Sequence, residues 1–504
     1  MSGASSRGGR PSLARVTLYA AIGALQAACA VGPRYAPPQP PAPASDAFAA
    51  GTANAAVATE PPDQWWQLYE DPAIDRLVSE ALTHNRNLLA AAANLAQARA
   101  ALALARAGHY PTTTLSMGAQ YGVSADQAFA SHLKGTGAPS PSLYFTPGLD
   151  VSYELDLFGR VRRTVEAAAA DYDAGQAAED VSRVSVAGET TRSYVNACAY
   201  AQQLEVARRS LKIVTEESQL TRQEVAAGAA NDLDLARANE LVAQTRAMLP
   251  VYEGGRRTAL FSLAVLTGRP PEEIDAAADA CTSPPRLAEV LPVGDVKSLF
   301  RRRPDVRQAE RQLAANTARI GVAAADLYPS IALGGSIASA ATTLGGIASR
   351  SNLIYGVGPL LSWTFPNTLV ARAQVREARA TASAALAAFQ GAILTALQDT
   401  ENALTAYATE LDRNDALREA RDQAHIAFGL ADEGFRLGHI SYLDLLTTES
   451  DLVNAEATLA ASDQALASDQ VTVFKALGGG WRQAPAVVPL PIEDARTGAA
   501  TPVR

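Results

Sequence analysis

The stretch Glu224–Gly268 is written a second time as Gly434–Gly478, and this duplication restricts the chain to a fold built from two like halves. At a constant spacing of 210 residues, Asp234 falls on Asp444, Gly228 on Gly438, Leu233 on Leu443, Val242 on Leu452 and Gly268 on Gly478, without a gap. Upstream, Tyr110-Pro111 matches Tyr328-Pro329, each after an Ala-rich helical pattern. Proline disfavours helical conformation in the residue before it, so a helix ends at each Tyr-Pro. Each half then reads as two strands, a very long helix, a glycine turn at Gly228 or Gly438, and a returning helix.

The strands show as period-two alternation. Leu115, Met117, Ala119, Tyr121 and Val123 alternate with Ser116, Gly118, Gln120 and Gly122; Leu149, Val151, Tyr153, Leu155 and Leu157 alternate with Asp150, Ser152, Glu154 and Asp156. In the second half Ile331, Leu333 and Ile337 oppose Ala332, Gly334 and Ser336, and Leu353, Tyr355, Val357, Leu361 and Trp363 oppose Gly356, Gly358, Ser362 and Thr364. About ten residues with one apolar and one polar face suit a membrane strand between lipid and a lumen, and a half-buried soluble sheet gives the same pattern. Four strands cannot close a barrel around a lumen, and open edges are not tolerated in lipid, so the membrane reading requires several copies to share one barrel.

The long helices run from Val161 to about Ala226 and from about Leu369 to Arg436. Roughly 66 residues at 1.5 Å each extend about 100 Å, far more than a globular core needs. The second returning helix carries a seven-residue repeat, Leu445, Leu452, Leu459, Leu466 and Val473, which is a coiled-coil seam. Leu235, Val242 and Leu249 repeat it in the first half, until Pro250 and Gly254-Gly255, which are expected to kink or break that helix.

The N-terminus reads as an export signal: Arg7, Arg10 and Arg15, then the apolar run Val16–Leu25, then small residues. The small residues before Cys29 resemble the lipobox of bacterial lipoproteins, although Gln26 departs from it; the match implies N-palmitoyl and S-diacylglycerol groups on Cys29. No run of 18 or more apolar residues follows, so strands are the expected way across a membrane. Both a periplasmic disulfide and two buried thiols suit Cys198 and Cys281. A net charge of −9 without a basic block makes a poor nucleic-acid binder. The reading divides the chain into a signal peptide (1–28), a Pro/Ala-rich tether (29–62), a first repeat (63–268), an inter-repeat segment (269–300), a second repeat (301–481) and a disordered tail (482–504).

Several segments resemble the TolC-type outer-membrane efflux proteins, in particular their NodT-like lipoprotein branch. They are Cys29–Tyr35, Trp65-Trp66 before Asp71-Pro72, Tyr153–Arg160, Arg302–Arg307, Asp326–Ser330, Gly358–Trp363, Tyr442–Leu446 and Lys475–Trp481. The resemblance implies a mainly α chain that forms a homotrimer, with a twelve-stranded transmembrane β-barrel (four strands from each chain) continued by a periplasmic α-helical barrel. It further implies docking onto a periplasmic adaptor linked to an inner-membrane RND transporter, with small molecules such as drugs as cargo.

An always-open tunnel would leak, so the helix tips at Gly228 and Gly438 are expected to constrict. Asp234 and Asp444 begin the returning helices there, and three copies would supply about six carboxylates near one axis, enough to perturb one another's protonation or recruit cations. The resemblance matches Asp234 and Asp444 to acidic gate positions and Leu443 to one where an apolar side chain narrows the opening. Thr447 and Phe435 depart from it, standing where many members carry an aspartate and a tyrosine. The plainer alternative makes both aspartates helix N-terminal residues favoured by the dipole. Arg301–Arg303 read as a solvated or interhelical patch, and Trp65, Trp66, Trp363 and Trp481 as packing or interface anchors. His84, His109, His132, His425 and His439 lack metal-ligand spacing, and neither a nucleophile elbow nor a dinucleotide fingerprint occurs, so no enzyme is expected. A type I protein-secretion component and a poreless coiled-coil scaffold are the competing readings.

Overall fold

A computed structural model describes residues 30–38, 47–49, 56–123, 125–287, 290–365, 368–490, 492–493 and 500–501; Cys29 and the leader lie outside them, as does most of 491–504. Along the chain come α1 (Pro72–His84), α2 (Arg86–Ala107), β1 (Thr112–Gly122), α3 (Ala125–Lys134), β2 (Ser142–Leu155), α4 (Arg160–Ala226), α5 (Asp232–Leu266), α6 (Ala276–Asp279) and α7 (Val296–Arg302). There follow α8 (Pro304–Ala325), β3 (Ser330–Ser339), β4 (Leu353–Ser362), α9 (Leu369–Arg436) and α10 (Tyr442–Ala476). The chain forms two compact units, each drawing on both halves: one holds described residues within Met1–Pro38, Ala98–Asp173 and Glu310–Ala387, the other those within Gln39–Gln97, Ala174–Ala309 and Ala388–Arg504.

The first unit is organised by an antiparallel sheet of order β1-β2-β3-β4. Its register sorts the alternating residues into rows: Leu115 pairs with Leu149, Leu149 with Ile337 and Ile337 with Tyr355, while Thr114, Asp150, Ser336 and Gly356 form the next row on the opposite face. Apolar and polar faces thus fall as the alternation predicts. Leu115, Tyr121, Tyr355 and Val357 are all more than three-quarters exposed in the single chain. β2 starts at Ser142, seven residues before the expected Leu149, because Pro147-Gly148 interrupts the alternation in the sequence without ending the pairing. α4 begins where Asp156 accepts hydrogen bonds from the backbone N–H groups of Val161 (2.9 Å) and Arg162 (2.8 Å), an anionic cap on the helix dipole.

The described residues of the Pro/Ala-rich segment in this unit, 30–38, are docked. Val31 donates its N–H to the Phe158 carbonyl at 3.1 Å, and Tyr35 donates its hydroxyl to Glu310 at 2.6 Å. Gly32 has φ +88° and lies so close to Gly321 that an added Cβ would stand 2.6 Å from the Gly321 Cα. Gly32→Ala is therefore expected to undock residues 30–38 at a cost of about 1–3 kcal/mol, read as earlier protease cleavage in this segment.

The core of the second unit gathers Trp65, Trp66 and Tyr69 with α1, α4, α5, α9 and α10. Trp65 is 1% exposed and stacks on Phe474 with centroids 4.8 Å apart, so both tandem tryptophans are packing anchors. Trp481 donates its indole N–H to the Arg302 carbonyl at 2.9 Å. Arg302 and Arg303 are buried and interhelical: Arg303 reaches Asp305, Asp399 and the Ala476 carbonyl. In the first unit, Trp363 is half-exposed and stacks on Phe365. Cys198, fully buried on α4, is disulfide-bonded to Cys281, which settles the choice left open by the sequence.

Of the kink or break expected at Pro250, the break does not occur, since α5 runs unbroken from Asp232 to Leu266. Pro250 and Arg246, whose carbonyl loses its usual donor, both lie on the exposed side, where water replaces the missing bond. Buried Leu241, Val242 and Thr245 before the proline, and Leu260 and Leu263 after it, hold the helix in place. Gly255 serves close packing instead, with its missing Cβ site 2.6 Å from the Tyr200 ring. By hydropathy alone, 18-residue windows of α2 and α9 are apolar enough to cross a bilayer, which the absence of an unbroken apolar run did not suggest. Alanine supplies much of that hydropathy, as in Ala90–Ala93 and Ala384–Ala388 with its neighbours.

Candidate gate at the helix tips

Both helical turns at the tips are built the same way. The long helix ends in a left-handed glycine, Gly228 at φ +77° or Gly438 at φ +74°, a conformation that residues with a Cβ seldom adopt. The next residue donates its N–H back over the turn, Ala229 to the Glu224 carbonyl (2.8 Å) and His439 to the Gly434 carbonyl (2.9 Å), satisfying carbonyls that the helix end would leave open. Three residues after each glycine comes the cap of the returning helix, Asn231 or Ser441.

The two caps treat their aspartates differently. Asn231 accepts from the N–H groups of Leu233 (2.9 Å) and Asp234 (3.1 Å). At the second tip, Asp444 accepts from the Ser441 N–H (3.2 Å) and hydroxyl (2.7 Å), while Ser441 accepts from the Asp444 N–H, a reciprocal capping box. Asp444 thus has the helix-terminal duty that the plainer alternative gave it, while its carboxylate stays exposed. Asp234 is half-buried and bears on Tyr442 across the tip. Leu443 is 46% exposed and its partner in the repeat, Leu233, 58%, so each tip presents a bare leucine beside a carboxylate.

Beneath this surface buried residues join the helices at the tips; of them, the sequence reading had placed Val242 on a seam and Tyr442 and Leu446 in a motif. Val214, Ala238, Leu241, Val242, Tyr442 and Leu446 form a buried cluster joining α4, α5 and α10. Tyr442 accepts a 2.8 Å hydrogen bond from the Thr221 hydroxyl and meets Phe435 edge to face at 5.7 Å. With Phe435 in place of a tyrosine, the bond across the helices comes from Thr221 and Tyr442. Thr447 turns inward on its own helix, donating to the Leu443 carbonyl at 2.7 Å. Glu449, 2% exposed, lies in the same interface. It sits four residues after Leu445 and three before Leu452, on the seam face, and that spacing was the available signal.

A family model described as outer membrane efflux protein matches residues 77–269 and 296–479, which together make up most of the chain. Nodulation protein T of Rhizobium leguminosarum bv. viciae is 31% identical over 467 residues, covering 91% of this chain and 92% of its own. The pyoverdine export outer membrane protein OpmQ of Pseudomonas putida is 31% identical over 430 residues, covering 84% and 89%. Among solved structures, the outer-membrane channel OprN superposes with a TM-score of 0.82 at 32% identity, covering 90% of this chain and 100% of its own. The chain belongs to the outer membrane efflux protein family, whose work is transport at the outer membrane and not catalysis.

Proposed function

We propose that the protein is the outer-membrane channel of a tripartite RND-type efflux system, giving small molecules such as drugs a passive exit across periplasm and outer membrane. The observation that carries this reading is the four-stranded sheet, apolar on one face and polar on the other, whose outer edges, on β1 and β4, pair with no strand among the described residues. Hydrocarbon does not tolerate unpaired edges, so the sheet must be closed by further copies of itself. Three copies give a homotrimer with a twelve-stranded barrel, apolar toward outer-membrane lipid and polar toward the lumen. The helices of each copy then build the periplasmic tunnel, and a periplasmic adaptor joins it to the inner-membrane RND transporter. The likeness to a pyoverdine exporter and to the channel OprN supports this. N-palmitoyl and S-diacylglycerol groups on Cys29 would anchor the chain, and the docking of Val31 two residues later supports an anchor at that level.

In this reading Asp234, Leu443 and Asp444 line a periplasmic gate at the tips, with Gly228 and Gly438 as its turns. Exposure of Leu443 and of the Asp444 carboxylate in the single chain supports the assignment, since both are free to face an axis. Asp444→Asn tests it better than Asp444→Ala, because the amide oxygen can still accept from Ser441 while the charge is removed. In planar bilayers, Asp444→Asn is expected to weaken divalent-cation block roughly tenfold, equivalent to about 1.4 kcal/mol per channel. Unchanged block and conductance in Asp444→Asn and Asp444→Ala alike would remove Asp444 from the gate.

A further inference from the structure

Close behind the tips lie a buried and a half-buried carboxylate to which nothing above assigns a role. Glu449 on α10 is 2% exposed, and neither of its carboxylate oxygens has a hydrogen-bond partner among the described residues. Glu217 on α4 acts on it electrostatically and has one buried oxygen equally without a partner among the described residues. An ionised carboxylate left bare in such a place costs several kcal/mol, and a second carboxylate beside it adds repulsion.

The surroundings supply no counter-charge of sufficient strength. Glu224 on α4 and Asp432 on α9 add negative charge around Glu217, and Arg436 on α9, which offsets it, is itself held by Asp432 at 3.0 Å. Tyr442 on α10, already bonded by Thr221, is the remaining titratable group near the pair, and Asp234 on α5 reaches it from the other side. In the internal repeat the position matching Glu449 is Asn239, which is exposed, neutral, and accepts a 3.0 Å hydrogen bond from Ser218.

We propose that Glu449, with Glu217 beside it, is a proton-binding site in the tip interface, a proton on Glu449 keeping α10 packed on α4 and its loss to solvent loosening the two helices. The proton removes the charge of the more buried carboxylate and, with it, its repulsion from Glu217. Burial first, and then Glu217, lifts Glu449 from the ordinary carboxylate range to about 7, and burial lifts Glu217 as well. Because the packed state binds the proton more tightly than the loosened one, packing is favoured at low pH. That advantage is lost as pH rises through the interval between the ordinary value and about 7. The step from loosened helices to an open pore rests on the gate reading, whereas the proton site does not.

Two measurements on the purified full-length protein in detergent separate these claims. Infrared spectra should contain a neutral-carboxyl band at about pH 5.5 that titrates away with a midpoint near 7, and this band should be missing from Glu449→Gln. Glu217→Gln, which keeps burial but removes the like charge, should lower the midpoint. Hydrogen exchange in residues 211–225 and 442–455, compared with Glu449→Gln at each pH, should rise on the order of tenfold between about pH 5.5 and about pH 8. A spectrum unchanged by Glu449→Gln, or exchange in step with that variant at both pH values, would overturn the site. If both behave as expected while bilayer conductance is the same at the two pH values, the proton site stands and the gate reading falls.

Discussion

Val357→Arg is expected to destabilise the protein in a bilayer by about 2–4 kcal/mol per chain, the cost of a guanidinium near the lipid midplane. Val357 sits near the centre of β4, opposite Gly335, on the same face as Tyr355 and Leu361, and is 82% exposed in the single chain. The proposed barrel turns that exposure toward hydrocarbon. Ser336→Arg is the matched control: Ser336 lies on the opposite face, between Asp150 and Gly356, where an arginine would meet water and a carboxylate. It is expected to leave stability within about 1 kcal/mol and to shift conductance toward anions instead. Denaturant titration in lipid vesicles, with the heat-modifiable oligomer followed on gels, measures both. Equal tolerance of arginine on the two faces would mean that the sheet does not separate lipid from water.

The second large effect is expected from Cys198→Ser combined with Cys281→Ser. The bond closes a loop spanning 83 residues, and in the chain-entropy model releasing it destabilises the fold by about 4–5 kcal/mol. Cys281 follows the four-residue α6 in a stretch otherwise short of regular structure, so that stretch should yield first. Hydrogen exchange around residues 270–287 should rise sharply in the double variant and, equally, in the reduced wild type. Reduction that leaves both exchange and melting unchanged would show that core packing alone retains this segment.

How much of this was legible depended on how many residues carried each signal. The four strands were readable because alternation is reinforced over some ten positions, and the observed register keeps the assigned residues that lie within the strands on their faces, while Val123, Asp156, Leu157, Trp363 and Thr364 fall beyond the strand ends. The α10 seam was readable for the same reason: Leu445, Leu452, Leu459 and Val473 are all buried. Single-residue signals fared worse. Pro250 has a strong local preference, and tertiary packing on both sides outweighed it. The cysteine pairing depends on a contact across 83 residues that no local pattern encodes. At the tips, duplication located the turns and aspartates, but the difference between the Asn231 cap and the Ser441–Asp444 capping box is one of side-chain geometry. Glu449 stayed hidden because one carboxylate on a seam face reads as a surface residue until the opposing helix is in view.

The hydrogen bond from Val31 to Phe158 has a consequence for how the protein sits in its membrane. Two residues of chain reach no more than about 7 Å, so acyl groups on residue 29 would be moored within that radius of the point where β2 gives way to α4. Such a short mooring cannot act as a leash. It would pin the acyl chains in the leaflet facing the periplasm at a fixed depth beside the barrel wall, making the lipid a ruler for the height at which each copy enters the bilayer.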